Sequence, residues 1–469
     1  MTKVLLIDEF VLPKTGQHRL TKPKVLFPFS SQHHATYLKN NFKLVISELA
    51  RNVTRYNLDN SALENMSQYY ENANPLSEYI GSSNKIEFNN DVDRVNFIRF
   101  IDSYLFNRDN QMKIIHTYLY NFIGESEAGQ IVIRNIAEFI NSIFIGEDEE
   151  LQNIFKNKET DDLLTKIIVE EIESLVSGKK KDTKAKYANV LPDFVKLFKE
   201  DLKFLVKHKD FFVANFEAFM NYYVFMYFCQ TVLQFEKLSK ASGDVQPIYF
   251  ALDWEAVTKK RAVASYLHGY KFIKEHAPNL FIHEFVLRFL SHNFFNEHAE
   301  QELEVYSYSK LLAEVESHGE QYTKQFIIDL QQAIQTYSDW AGLGKVDTSS
   351  QHIDELLSQL LKLVESKVSK DVMARYATAL DSLAFETFLK QRGSLGYLLN
   401  IQHSFLMLMT AVIVKDERMP FKDLLKEFEK RGIAFDRHSI EEIVTLFDNH
   451  NILDKKSDSG DAQYVKPIL

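Results

Sequence analysis

The stretch FKDLLKEFEKRGIAFDRHSIEEIVTLFDNHNILDKKSDSGDAQYVKPIL, residues 421–469, decides how this chain reads. Phe421, Leu424, Leu425 and Phe428 follow the spacing that puts apolar side chains on one helical face. Gly432 follows as a C-cap, since glycine adopts the left-handed backbone without a Cβ penalty. Asp436 can cap the next helix, in which Ile440, Ile443, Val444 and Phe447 repeat the same i, i+3, i+4, i+7 pattern. Two strand-like pieces, ILDKK at 452–456 and AQYVKPI at 462–468, flank the turn SDSGD around Gly460. Just upstream, Leu398, Ile401, Phe405, Leu408 and Val412 mark a first helix. Three helices and a terminal hairpin, with a short turn between the second and third helices, form the winged variant of helix-turn-helix. Residues 395–469 are expected to fold as a separate winged-helix domain.

Outward from there, the 469 residues suffice for two to four domains. Hydrophobic residues make up 45% and charged residues 26%, an ordinary globular profile. Only 15 glycines and 9 prolines punctuate the chain, which favours long helices over a sandwich or barrel. The fold class is therefore mainly α and multi-domain. Residues 1–178 read as an extended arm, with a short strand at Val4 to Ile7, followed by a helical domain. Phe42, Val45, Ile46, Leu49 and Val53 share one face, as do Ile133, Ile136, Ile140 and Ile143, and then Leu164, Ile167, Ile168, Ile172 and Leu175. The lysine-dense run SGKKKDTKAK, 177–186, reads as an exposed loop or linker. A central helical domain, 187–394, carries the aromatic stretch FFVANFEAFMNYYVFMYFCQTVLQF at 211–235. Asn215, Glu217, Asn221, Gln230 and Gln234 interrupt it, and such groups are costly at a bilayer centre, so it reads as a buried core helix with no membrane partner. The segment PIYFALDWEAVTKKR, 247–261, reads as a short extended piece before a helix. Ile353, Leu356, Leu357, Leu360, Leu361, Val364 and Val368 form one later stripe, and Tyr376, Leu380 and Leu383 another. The single cysteine, Cys229, fits a reducing compartment, and the opening MTKVLLIDEF shows no signal-peptide pattern; the expected location is the cytoplasm.

The search for chemistry returns little. Neither GxxxxGK[ST] nor GxGxxG occurs, so no nucleotide cofactor is implied. His283-Glu284 opens like a zincin motif, but Leu287 stands where the second histidine should be, and no metal site is assigned. His33 and His34 are adjacent and cannot both face one helical side. Cys229 lies in the most apolar helix, where a thiolate is disfavoured. Asp253 and Glu255, followed by Lys259, Lys260 and Arg261, leave a metal-dependent nuclease as a minor alternative, against a Trp254 core anchor with surface charges.

Charge is unevenly distributed. The whole chain carries −10, yet residues 179–274 hold 17 Lys+Arg against 10 Asp+Glu. That basic middle could meet nucleic acid or an acidic partner, and Lys179, Lys180, Lys181, Lys184 and Lys186 are the candidate phosphate contacts. Within 395–469, Arg437, His438, Lys455, Lys456 and Lys466 are candidate DNA contacts. Glu441 and Glu442, by contrast, would repel phosphate and are candidates for docking a protein.

The segments PIYFALDWEAVTKKR, YLHGYKF (266–272) and LFIHEFVLRFL (280–290), with RGIAFDRHSIEEIVTLFDNHNILDKKSDSGDAQYVKPIL (431–469), resemble the DptG (DndG) family. That family is the G subunit of the bacterial restriction system that depends on DNA phosphorothioation. The likeness spans most of the chain in length and order of segments; its most specific piece is KKSDSGDAQYVKPIL, and the first 180 residues add little. It implies a defence role beside two partners, the DptF-like ATPase and the DptH-like helicase, which would supply nucleotide hydrolysis and DNA translocation. The family offers no established catalytic motif to carry over. The leading expectation is thus a non-catalytic subunit of a restriction complex that scaffolds its ATPase partners and helps hold DNA. A stand-alone winged-helix regulator is the expectation from a different class.

Overall fold

A computed structural model of the protein describes residues 4–5, 26–29, 35–58, 74–83, 86–124, 129–179, 187–294, 305–385, 387–455 and 463–469. The described residues are mainly helical, with a few short strands. Among them no helix is long and apolar enough to cross a membrane. His33, His34 and the SDSGD turn lie outside the described residues, as do residues 6–7 of the expected N-terminal strand.

Two compact units divide the chain. One comprises Asn41–Ala185 and Leu205–Glu217. It holds α1 (Phe42–Thr54), β1 (Tyr56–Leu58), α2 (Pro75–Gly81), α3 (Asp91–Leu105), α4 (Gln130–Ile140), α5 (Glu149–Lys156), α6 (Leu163–Ile172) and β2 (Val176–Lys179). The faces read from periodicity are the buried ones: Phe42, Val45, Ile46, Leu49 and Val53 of α1 pack against α4, which buries Ile133, Ile136 and Ile140. Asp148 and Asp162 cap α5 and α6 with their carboxylates, so these short helices begin where a local acceptor stands. The run at 177–186 is not wholly a loop. Its first residues form β2, which pairs antiparallel with β1, Tyr56 opposite Lys179.

The other unit comprises Met1–Asn40, Lys186–Phe204 and Ala218–Leu469. In chain order its elements are α7 (Pro192–Leu205), α8 (Lys209–Phe235), β3 (Ile248–Phe250), α9 (Tyr270–His276), α10 (Leu280–Phe294), α11 (Tyr308–Ser317), α12 (Glu320–Trp340), α13 (Ile353–Glu365), α14 (Lys370–Ala384), β4 (Leu389–Gln391), β5 (Tyr397–Leu399), α15 (His403–Val414), β6 (Met419–Pro420), α16 (Phe421–Lys430), β7 (Ile433–Phe435), α17 (Arg437–Asn449), β8 (Leu453–Lys455) and β9 (Gln463–Val465). Both α7 and α8 cross a unit boundary, α7 after Phe204 and α8 after Glu217.

The aromatic helix α8 is the spine of this core: Phe219, Tyr222, Tyr223, Phe225, Phe228 and Cys229 are wholly buried. A helix apolar on every side has to be enclosed by protein. Two of its buried amides reach the chain just beyond its end, Gln234 at the Asp244 carbonyl and Gln230 at Gln246. Gln230 donates to the Gln246 carbonyl at 2.7 Å and accepts from the Gln246 N–H at 2.8 Å. The N-terminal arm is tied down by carboxylates. Asp329 accepts from the backbone N–H groups of Val4 and Leu5, and Glu284 from that of Leu26 at 2.9 Å. Phe27 then packs edge-on against Phe235 and Tyr376.

At the C-terminal end, β6, β9 and β8 form an antiparallel sheet in that order, with Leu453 and Met419 both opposite Val465. Two sequence expectations change here. The first helix begins at His403, because Tyr397–Leu399 instead pairs with β4 as a hairpin. The turn between the second and third helices contains β7, which runs parallel to β3 with Ile433 opposite Ile248 and Phe435 opposite Phe250. Residues 395–469 therefore share a unit with 218–394, and the units do not part at 395. Within 247–261 the expected extended piece is Ile248–Phe250, bends and turns follow it, and no α-helix starts until Tyr270.

Candidate functional site

The outward face of α17 carries the candidate contact residues Arg437, His438, Glu441 and Glu442. Its N-terminus is fixed from two directions. Asp436 caps it by accepting from the Ser439 N–H at 3.0 Å. Arg261 grips the same carboxylate with two hydrogen bonds, of 2.8 and 2.9 Å, and donates a third to the Ser439 hydroxyl. Both partners are buried. Burial works against the Asp436 charge, but the hydrogen bonds from Arg261 and Ser439 outweigh it and hold the carboxyl below the usual range.

With its start fixed, α17 projects Arg437, His438, Glu441, Glu442, Thr445 and Asn449 along one side. Arg437 is almost fully exposed, yet its guanidinium is engaged by Glu441 at 2.9 Å, one turn on. His438 lies 4.0 Å from the same carboxylate. Lys466, on the returning chain, pairs with Asp454 at 3.2 Å. Three of the expected DNA contacts thus sit beside carboxylates of their own surface. Lys455 ends β8 and Lys179 ends β2, while Lys180, Lys181, Lys184, Lys186 and Lys456 lie outside the described residues.

Glu442 differs from the freely exposed acid that spacing suggests. It is half-buried beside Asp253, and one of its oxygens, Oε2, is buried without a hydrogen-bond partner among the described residues. Burial and then the Asp253 charge raise its pKa, with Arg261 opposing. Glu442 and Asp253 line a groove of about 510 Å³, walled by α17 on one side and by Leu252, Asp253 and His403 on the other. Asp253 also closes a local turn, accepting from the Glu255 N–H at 3.2 Å, and Arg261 is committed to Asp436. Residues of the nuclease alternative are therefore used as a turn and a helix clamp. Among the described residues, no group of three His, Cys, Asp or Glu side chains is placed to hold a metal.

Sequence reasoning missed His403, Leu252 and the part Arg261 plays. The signal was present only as the basic cluster TKKR, which does not say which cation turns inward. It also missed the carboxylate of Glu236, which lies 3.0 Å from His276 and 3.4 Å from His283 and accepts from Asn279 at 2.9 Å. A cavity of about 190 Å³ adjoins it. The other nitrogens of the two imidazoles engage the hydroxyls of Tyr266 and Tyr308, so Glu236 is a junction between the end of α8, α9 and α10. Cys229 is wholly buried and its thiol is pushed well up by burial, as expected of a packing residue.

No protein-family model matches the chain, and no curated protein does.

Proposed function

We propose that the chain is a non-catalytic, cytoplasmic subunit of a DNA phosphorothioation-dependent restriction complex, scaffolding an ATPase and a helicase-like partner. In this reading residues 403–465 are a winged helix whose third helix, α17, docks protein in preference to DNA. The placement in this system rests on the segments resembling the DptG family. The three helices α15, α16 and α17 followed by β8 and β9, with the sheet β6-β9-β8, support the winged-helix reading, β7 being an added strand in the turn between α16 and α17.

One observation carries the docking preference. The face of α17 that would enter a DNA groove presents Glu441 and Glu442 beside Asp253, and its one arginine is already engaged by Glu441. Phosphate-rich duplex would meet carboxylates there, whereas a cationic protein surface would be drawn to them. Co-expression of the full chain with the two presumed partners, followed by affinity purification, tests the assignment. A stoichiometric complex is expected; a chain that elutes alone while its partners pair with each other overturns it.

A further inference from the structure

We infer that the groove between α17 and the Leu252–Asp253 segment is a receptor for an arginine- or lysine-bearing segment of a partner protein. The inference rests on the protein-docking reading of α17 and specifies what that helix receives.

Four observations converge on it. The groove is elongated: His438, Glu441, Glu442, Thr445, Leu446 and Asn449 follow one another along three turns of α17, a run of about 16 Å. That length suits a few residues of extended chain. Its polar walls carry carboxylates from two separate elements, Asp253 opposite Glu441 and Glu442, and neither lysine nor arginine lines it. The exposed Asp253 carboxylate repels that of the half-buried Glu442, whose pKa is raised by burial first and by the Asp253 charge second. An incoming guanidinium relieves that repulsion and offers a donor to the Glu442 carboxylate, which accepts from the Asp253 backbone but whose Oε2 accepts no hydrogen bond among the described residues. Finally, Leu252 and Leu446 give the groove apolar surface against which the stem of a long cationic side chain can lie. Phosphate satisfies none of these features.

The site is also pre-formed. Arg261, Asp436 and Ser439 lock the start of α17, and the Ser439 hydroxyl accepts from the Leu252 N–H at 3.3 Å, so the two walls are joined at their base. Little ordering remains to be done when a segment binds.

The full-length chain is titrated with a short fluorescent peptide of alternating arginine and leucine, read by anisotropy. Controls are the same peptide with glutamate for arginine, and a short DNA duplex. The arginine peptide alone should bind at this groove. Asp253→Asn with Glu442→Gln, which keeps shape and turn but removes both charges, should weaken it about tenfold or more. Glu441→Gln should matter less, roughly twofold, because that carboxylate is solvated and shared with Arg437. A far-ultraviolet melt of each variant confirms that the fold is retained. Peptide binding indifferent to the double substitution overturns the proposal, as does duplex binding that Arg437→Glu abolishes. The same double variant is carried through the co-purification. If the wild-type complex assembles but the peptide does not bind, the groove proposal falls alone; if no complex assembles, the assignment to the restriction system falls while the titration still judges the groove.

Discussion

At the scale of single residues, Glu284 shows what burial does to a charge. It is wholly enclosed, accepts from the Leu26 N–H at 2.9 Å and the Tyr376 hydroxyl at 3.1 Å, and has Arg288 nearby. Burial dominates these favourable contacts and pushes its pKa up to about 7. A carboxyl whose folded pKa exceeds its unfolded one binds its proton more tightly when folded. Its proton-linked stabilisation is complete below the ordinary glutamate range and is lost as pH rises through about 7. Urea unfolding should therefore show stability falling by up to roughly 3 kcal/mol across that window, and Glu284→Gln should flatten the slope. A slope that survives the substitution would mean that other groups set it. Motif spacing singled out His283-Glu284 and rejected a zincin there because Leu287 stands in the second histidine's place, but nothing local could reveal a partner 258 residues away. Asp436 makes the same contrast within one carboxylate. Its capping of Ser439 was legible because a cap acts over three residues, whereas the clamp by Arg261 spans 175.

At the scale of elements, long amphipathic helices were legible and short strands were not. The apolar stripes of α1, α4, α13, α16 and α17 are the faces the fold buries, because helix period and burial express one constraint. Leu398 fitted a helical stripe yet sits in β5, and Ile433–Phe435 read as part of a turn yet forms β7. Three residues are too few for a period to declare itself, and their pairing partners lie far off in sequence. Gly432 joins both worlds. It adopts the left-handed conformation expected of a C-cap, at φ +90°, and also lets β7 approach α8. A Cβ there would lie 2.7 Å from Met226 Sδ and 3.1 Å from Gln230 Nε2, and Gln230 is held by its two bonds to Gln246. Gly432→Ala should cost about 1–3 kcal/mol in chemical denaturation. Adding Met226→Ala should return the part due to the clash and leave the backbone strain. Strict additivity of the two substitutions would show that α8 does not constrain the site.

At the scale of the whole molecule, the question is whether the C-terminal helices can stand alone. The sequence makes 395–469 look self-sufficient, since α15, α16 and α17 carry complete apolar faces, and Phe428 and Phe447 are wholly buried. The contacts argue otherwise. Arg431 is buried and takes both oxygens of Asp201, at 2.6 and 2.7 Å, and its carbonyl accepts from Tyr222 at 2.7 Å. Asp436 depends on Arg261, and β7 finds its only pairing partner among the described strands in β3. Cutting near Arg392 removes Asp201, Arg261 and β3 together. A buried charge stripped of its partner costs about 3–5 kcal/mol; in the fragment Asp436 loses Arg261 and Arg431 loses Asp201, keeping only Glu427 at 3.0 Å. A domain of this size has a stability of only about 5–10 kcal/mol in total, so the cut consumes most of it. The fragment 395–469 should therefore show no cooperative thermal unfolding by circular dichroism and poorly dispersed amide resonances. Replacing the two stranded groups by neutral, shape-matched ones, Arg431→Met with Asp436→Asn, should partly restore a transition, because the liability lies in uncompensated charge. A native-like melt of the unmodified fragment would show that its own core suffices and that the long-range pairs only orient it. The groove beside α17 depends on the same outcome. Its Asp253 wall comes from outside the fragment, so even a folded fragment should not bind the arginine peptide, and binding confined to the full chain would tie recognition to the unit as a whole.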